Sequence, residues 1–277
     1  MTQCAVAYGP RLIVAPTATM RSALVVRPTL AIERGKPLNG EPGAILARAV
    51  EQHAVLVRTL RYFDVDVRVL DASGDDSHAC AVADAAMLFE NGALLMRPSS
   101  MSRRAEIDHI AAELCAIDIP LAGRIAPPGL LDGTDVLLIE NTAFVGAGTR
   151  GNAIGRNGFA TVARASGFNV VEVPLAAGVA SLQSVVGVAG PQTIVLAPGC
   201  VDAAAFSDFR TIELERGEEL GAGVLCLGQN HVIADVRYRT ALQRMRRAGI
   251  TVEGIDLYEF EKIGITPSML VLPLRRE

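Results

Sequence analysis

The sequence predicts an α/β fold in which five ββαβ-like units close into a ring around a central pocket. Two observations predict it: apolar hairpins of one size recur four times, and each is followed by a helical stretch and a further strand. Units that repeat at a fixed period and cannot bury their own sheets favour a closed array. The inner strands would then meet at a pocket where polar groups converge. An ordinary open α/β sheet is the alternative.

The hairpins are the most regular part of the pattern. Each joins two apolar runs across a short segment of turn-forming residues, and Asn-Gly is the strongest such signal because both of its positions tolerate positive φ. The hairpins span residues 85–96, 135–146, 184–195 and 223–234, with turns at Asn91-Gly92, Asn141-Thr142, Gly190-Pro191 and Gly228-Gln229-Asn230.

A helix and a closing strand follow each hairpin. Ser102 is placed to cap the first of these helices, and Gly167 and Gly249 are placed to end two others. A less regular unit comes first in the chain, with a strand at 23–26, a helix at 44–61 and a strand at 65–70. The other predicted helices span 103–116, 157–166, 201–209 and 239–248, and the closing strands span 117–122, 169–174, 210–214 and 250–255.

Composition limits the function classes. The chain has 277 residues, a net charge of −4 and scattered basic residues, so no nucleic-acid surface is expected. No apolar run is long enough for a membrane span and the N-terminus is a poor signal peptide, so we expect a cytoplasmic protein. The five cysteines form no metal-binding motif, and neither a metal nor a cofactor is expected. One domain over 1–277 is predicted, and a homodimer is left open.

Four segments carry a resemblance to a known family. They read CAVADAAMLFENGALLMRPSSMSRRAE, LLDGTDVLLIENTAFVGAGTRGNAIG, GVASLQSVV and LYEFEKIGITPSMLVLPL. In order and almost without gaps, they resemble the acidic strand, the substrate loops and the C-terminal motif of dimethylarginine dimethylaminohydrolases and arginine deiminases. These hydrolases and the related amidinotransferases make up the pentein superfamily. The resemblance implies the five-bladed pentein propeller and a small-molecule ligand, an amino acid or another guanidino compound.

The resemblance also implies a site of opposite charges. Asp84 matches the aspartate that binds the substrate guanidinium, although the preceding glutamate is Ala83 here. Asp132 and Asp135 match two further acidic positions. A carboxylate facing a guanidinium forms a charge-assisted pair, often with two parallel hydrogen bonds.

Three further positions match the residues that hold the amino-acid carboxylate. Arg150 and Asn152 match an arginine and an asparagine of the substrate loop, and Arg104, with Arg103 as the less favoured choice, matches a second arginine. Arginine suits this task because its planar fork fits a carboxylate.

The catalytic pair of the family is replaced. Met269 stands where the nucleophilic cysteine is expected, and Ser181 stands where the histidine is expected. A thioether cannot ionise to the thiolate that attacks the guanidinium carbon, and a serine hydroxyl is no general base near pH 7. We therefore expect a pseudoenzyme that binds an arginine-like amino acid without hydrolysing it, or an enzyme with diverged chemistry.

Two other readings stay open at this point. The chain could be an active amidinohydrolase or deiminase with a different nucleophile, for which Cys80 is the candidate and His78 the nearest histidine. Ser268 is expected to face away from the pocket, because neighbours on a strand point to opposite faces. The third reading is a structural scaffold without a ligand.

Overall fold

The computed structural model describes residues 11–38 and 40–277 and confirms the predicted ring. Fifteen strands within this part of the chain form five three-stranded sheets. The strands are β1 Met20–Val26, β2 Asp66–Leu70, β3 Ala86–Phe89, β4 Gly92–Leu95, β5 Leu121–Arg124, β6 Val136–Ile139, β7 Thr142–Ala147, β8 Asn169–Pro174, β9 Val186–Gly190, β10 Thr193–Leu196, β11 Arg210–Glu213, β12 Leu225–Gly228, β13 His231–Asp235, β14 Thr251–Ile255 and β15 Leu272–Arg276.

Every sheet has the same pairing. An inner strand lies antiparallel to a middle strand, which lies parallel to an outer strand. Parallel neighbours need a crossover connection, which is a helix in four sheets and a short 3-10 turn in the other. The helices are α1 Leu46–Tyr62, α2 Glu106–Ala116, α3 Ala153–Ala165 and α4 Arg239–Arg247, and α5 Tyr258–Glu261 precedes the last strand.

The first sheet shows why its unit is irregular in sequence. Its middle strand is β1 and its outer strand is β2, but its inner strand is β15, from the C-terminal end of the chain. The two ends of the described chain therefore close the ring together.

Several predicted boundaries are wrong by a few residues. The second hairpin turns at Glu140 and Asn141 rather than Asn141-Thr142, and Glu140 itself takes the positive φ of 49°. Helix α2 begins at Glu106 rather than residue 103, because the preceding residues form turns and Ser102 donates to Asp76 instead of capping the helix. The predicted helix at 201–209 is only the 3-10 turn Ala203–Phe206.

Five short 3-10 helices surround the centre of the ring, one before each inner strand. Neighbouring ones pack side by side, the last against the first, and the backbone N–H of Ser268 donates to the carbonyl of Gly223 over 3.2 Å between the fourth and the fifth. Gly133 shows how close the packing is, because a Cβ there would lie 2.0 Å from the carbonyl oxygen of Ala83. The helices are Val82–Asp84, Gly133–Asp135, Leu182–Ser184, Glu219–Ala222 and Pro267–Leu270.

Among the described residues, no helix combines the length and the apolar character that crossing a membrane requires.

Candidate functional site

Asp84 is the centre of a buried group of ion pairs. Its side chain is 1% exposed, and both carboxylate oxygens accept hydrogen bonds. Oδ1 accepts from the Thr134 hydroxyl over 2.5 Å, and Oδ2 accepts from Arg103 Nη1 over 2.5 Å and from Arg150 Nη2 over 2.9 Å. Burial alone would raise the pKa of Asp84, but Arg150, Arg103 and Thr134 outweigh it and hold that pKa below its ordinary value. Asp84 is therefore ionised.

Arg103 is the arginine that the fold brings to Asp84. It lies in the turn before α2 with only 3% of its side chain exposed. Besides Asp84, its guanidinium donates to Glu106 over 3.1 Å and to the carbonyl of Ala81 over 3.1 Å. Burial would lower the pKa of Arg103, but Asp84 and Glu106 raise it. A fixed positive charge therefore sits on the acid that the resemblance assigns to a substrate guanidinium.

Arg150 closes the group on the solvent side. It lies in the loop between β7 and α3, and its Nη2 contacts both Asp84 and Asp132. Its side chain is 25% exposed, so it is the member of the group that solvent reaches. Asp132 is held in turn by Ser99, whose backbone N–H donates over 2.7 Å and whose hydroxyl donates over 3.3 Å. Burial and the neighbouring charge of Asp84 raise the pKa of Asp132.

Asp135 and Ser181 lie next to the ion pairs with unused polar atoms. Asp135 accepts from the backbone N–H of Leu182 over 3.1 Å, but its Oδ2 finds no partner among the described residues. The Ser181 hydroxyl is likewise buried and unpartnered in this part of the chain. Burial raises the pKa of Asp135 to about 7, although Arg150 opposes the shift. Near neutral pH this carboxyl is therefore partly protonated.

Met269 belongs to the apolar core. It is 2% exposed and packs in a cluster with Phe260, Ile265 and Cys80. It lies on the 3-10 helix Pro267–Leu270, not on a strand as the argument about Ser268 assumed. Burial raises the pKa of the Cys80 thiol to about 12, so this thiol stays protonated at neutral pH.

Two predicted ligand-binding residues have structural partners instead. Asn152 caps α3, where its Oδ1 accepts from Gly155 and Leu130 and its Nδ2 donates to the carbonyl of Pro128. Arg104 donates to the carbonyls of Pro98 and Ser99, so it reaches Asp132 only through Ser99. The structure thus brings together Asp84, Asp132, Asp135, Arg150 and Ser181, but leaves Asn152 and Arg104 outside the ion pairs.

His78 contacts none of Asp84, Asp132 and Asp135; the carboxylate beside it is Asp76, which accepts from its backbone N–H over 2.8 Å. Its ring nitrogens lie 3.0 Å from the Ser77 hydroxyl and 3.1 Å from the carbonyl oxygen of Ile263, and burial lowers its pKa. It is therefore neutral near pH 7 and bound to the loop around Gly264.

Sequence reasoning missed Thr134 and Glu106. Thr134 lies between Asp132 and Asp135 in the acidic motif, which is a usable signal for a second donor to Asp84. Glu106 follows Arg103 by three residues, the spacing of a side-chain pair on a helical turn.

The geometry can hold a guanidinium on carboxylates and a carboxylate on Arg150. The protein already forms guanidinium–carboxylate pairs of this kind within itself, because Arg103 and Arg150 pair with Asp84 and Asp132. The side of the site where the family has its nucleophile offers a thioether in an apolar cluster.

Comparison with known proteins identifies relatives of the chain and of its fold, although no protein-family model matches. A dimethylarginine dimethylaminohydrolase from Streptomyces coelicolor is 30% identical over 261 residues, which cover 92% of this chain and 97% of the relative. The structure of the Pseudomonas aeruginosa enzyme in complex with citrulline superposes with a TM-score of 0.85 at 24% identity, covering 92% of this chain and 99% of that one. The N-terminal domain of ArgZ, a cyanobacterial arginine dihydrolase, superposes with a TM-score of 0.80 at 18% identity over 92% and 97% of the two chains. The chain, with its pentein fold, belongs to the dimethylarginine dimethylaminohydrolase family.

Proposed function

We propose that this protein binds a guanidino amino acid at Asp84, Asp132 and Arg150 and does not hydrolyse it by the covalent route of its family. The observation that carries the proposal is the pairing of the partly exposed Arg150 with the buried carboxylates of Asp84 and Asp132, because it places a guanidinium and two acids together where solvent reaches. A cytoplasmic location and a homodimer stay predictions.

The side chains at the three candidate positions support the part of the proposal that excludes the covalent route. Met269 cannot form a thiolate, and Ser181 cannot take up a proton near neutral pH. Cys80, the candidate replacement, has a pKa raised to about 12 and is packed among apolar side chains. These facts favour binding over an active hydrolase with a displaced nucleophile.

Arg150 is the side chain that a ligand could displace to reach the carboxylates. It is partly exposed and shares Asp84 Oδ2 with Arg103. If Arg150 turns to pair with the carboxylate of a ligand, oxygens of Asp84 and Asp132 become available for the guanidinium of the same molecule. The ligand then replaces the two internal pairs of Arg150 with Asp84 and Asp132 by pairs of its own, between its carboxylate and Arg150 and between its guanidinium and the freed carboxylate oxygens.

The test compares ligands that differ by one charge. We expect arginine or Nω,Nω-dimethylarginine to raise the melting temperature and to give saturable heat in calorimetry, because a ligand of the folded state stabilises it. Citrulline lacks the guanidinium charge and agmatine lacks the carboxylate, so each should bind at least about tenfold more weakly. The same mixtures should release no citrulline from arginine. Binding that ignores both charges, or turnover lost in Cys80→Ala, would contradict the proposal.

A ligand-free scaffold is the second candidate, and one observation favours it. Arg103, Arg150 and Thr134 already satisfy both oxygens of Asp84 without any ligand. In that case none of the guanidino compounds should change the melting temperature.

A further inference from the structure

A cavity separate from the site described above runs along the centre of the ring. Its volume is about 130 Å³, and inner strands of all five sheets line it, through residues such as Ala86, Val136, Val186, Leu225 and Leu272. We call it the central channel. It is not the site described above, because its lining includes none of Asp84, Asp132, Asp135, Arg103, Arg150, Ser181 and Met269.

The wall of the central channel is mostly apolar. Met87, Leu138 and Pro273 line it and are only half-buried, so part of their apolar surface stays accessible. Binding of a hydrocarbon group to apolar surface of this kind is favourable, because it removes that surface from water. The cavity is close to the 150 Å³ that accommodates benzene in an apolar protein interior.

One charged side chain lines this wall. Arg276, on β15, is 6% exposed, and its guanidinium donates from Nη1 to the carbonyl of Ala18 over 2.9 Å and from Nη2 to the carbonyl of Cys226 over 2.8 Å. Within residues 11–38 and 40–277, no carboxylate forms an ion pair with it. Arg103, which is as deeply buried, has two carboxylate partners.

An unpaired buried guanidinium is expensive. Burial opposes the charged form and lowers the pKa of Arg276, and backbone carbonyls supply only partial negative charge. The other titratable group beside it is the Cys226 thiol, whose pKa burial raises, so it brings no negative charge at neutral pH. The channel therefore presents a positive charge that lacks a counter-ion, set in apolar walls.

We propose that the central channel binds a small organic carboxylate, with the carboxylate on the guanidinium of Arg276 and the hydrocarbon part against the apolar strands. A linear acid of about six carbons or an aromatic acid of benzoate size matches the cavity. An arginine suits a carboxylate because two parallel hydrogen bonds can form. The apolar wall favours an organic anion over phosphate or chloride, because these inorganic anions have no hydrocarbon part to displace water from the wall.

The first experiment needs only the wild-type protein. Hexanoate should give saturable heat in calorimetry and should bind at least about tenfold more tightly than neutral hexanamide of the same shape, because only the anion pairs with Arg276. Phosphate and acetate should also bind more weakly, because they lack the hydrocarbon chain. Equal binding of hexanoate and hexanamide would overturn the proposal, and so would equal binding of acetate or the absence of saturable binding.

Methionine methyl groups report where hexanoate binds. Met87 lines the central channel, Met269 lies on the 3-10 helix that packs against the helix of Asp84, and Met101 is 78% exposed elsewhere on the surface. In protein labelled with [¹³C-methyl]methionine, hexanoate should shift the Met87 resonance and leave Met269 and Met101 unchanged. A shift confined to Met269 would assign the anion to the other site and overturn the proposal.

Two variants separate charge from packing. Arg276→Met keeps an unbranched side chain and should abolish the preference for hexanoate over hexanamide. Arg275→Met, at the neighbouring position of the same strand whose side chain points to the other face, should keep it. If Arg276→Met fails to fold, the comparison of ligands and the Met87 resonance still decide the outcome.

Discussion

Arg103 Nη1 lies 2.5 Å from Asp84 Oδ2, and both side chains are almost fully buried. The acid that would bind a substrate guanidinium in the family thus carries a guanidinium of its own chain. Thr134 and Arg150 complete the shell of Asp84 and leave neither oxygen without a donor. This pair puts Asp84 at the core of the proposed binding site and leaves Arg103 dependent on its charge.

Removing the charge of Asp84 should strongly destabilise the protein. In Asp84→Asn the buried Arg103 loses its closest counter-ion, and breaking one side of a buried ion pair costs about 3–5 kcal/mol. Chemical denaturation at pH 7 measures the loss. Because the pKa of Asp84 is lowered in the folded state, the wild-type protein should itself lose this stability as the pH falls below about 4.

The matched control is an exposed ion pair. Asp71 pairs with Arg27 on the surface, where both side chains are more than half exposed. Asp71→Asn should change the free energy of unfolding little, because solvent screens such pairs. A loss in Asp84→Asn no larger than in Asp71→Asn would show that the buried pair does not stabilise the fold.

Asp135 should make the protein less stable as the pH rises. Its pKa is about 7 in the folded state against an ordinary 3.8, so the folded state holds the extra proton between these values. The free energy of unfolding should therefore fall between about pH 4 and pH 7, by up to about 4 kcal/mol at roughly 1.4 kcal/mol per pKa unit.

Asp135→Asn removes this titration. The variant should gain stability relative to the wild type as the pH rises from 4 to 8, measured as the difference in free energy of unfolding at each pH. The exposed Asp208→Asn is the control for the substitution itself, measured at the same pH values. A difference for Asp135→Asn that does not change with pH would mean that Asp135 is not protonated in the folded protein.

Replacing Met269 with the cysteine of the family should not by itself restore hydrolysis. Met269→Cys would place a thiol in an apolar cluster with Phe260 and Ile265, where burial raises a thiol pKa, and Ser181 offers no base. We expect neither citrulline release from dimethylarginine nor a covalent adduct in mass spectrometry. Turnover in this variant would show that the site keeps a working general base.

Gly133 should tolerate no side chain. The Cβ of Gly133→Ala would meet the carbonyl oxygen of Ala83 at 2.0 Å, so two of the central 3-10 helices would have to separate. We expect a loss of several kcal/mol in denaturation, about the size of the largest single-residue effects.

The control glycine lies in the exposed interior of α3. Gly158→Ala puts its Cβ 3.5 Å from a methyl group of Ile125, an ordinary contact, and alanine favours the helix by about 1 kcal/mol. This variant should be slightly more stable than the wild type. Similar losses at both positions would refute the close approach at Gly133.

Local patterns in the sequence determined the five units. Alternating apolar runs and turn residues are short-range signals, so the four hairpins, the outer strands and four of the five predicted helices could be located to within a few residues, while residues 201–209 form only a 3-10 turn. The family motifs located Asp84, Asp132, Asp135 and Arg150, which the fold brings together, and also Met269 and Ser181. That a thioether cannot ionise and that a serine hydroxyl is no base near pH 7 follows from the residue types alone.

Only the tertiary structure decided how the ring closes and which charges meet. The pairing of β15 with β1 joins distant parts of the chain, and no local pattern specifies it. The choice between Arg103 and Arg104 depended on where α2 begins, because turns before Glu106 direct the first inward and the second to backbone carbonyls. No local pattern singles out Arg276, yet the closed ring buries it, and no carboxylate among residues 11–38 and 40–277 pairs with it. Electrostatic energy depends on distance and burial, and only the folded chain fixes both.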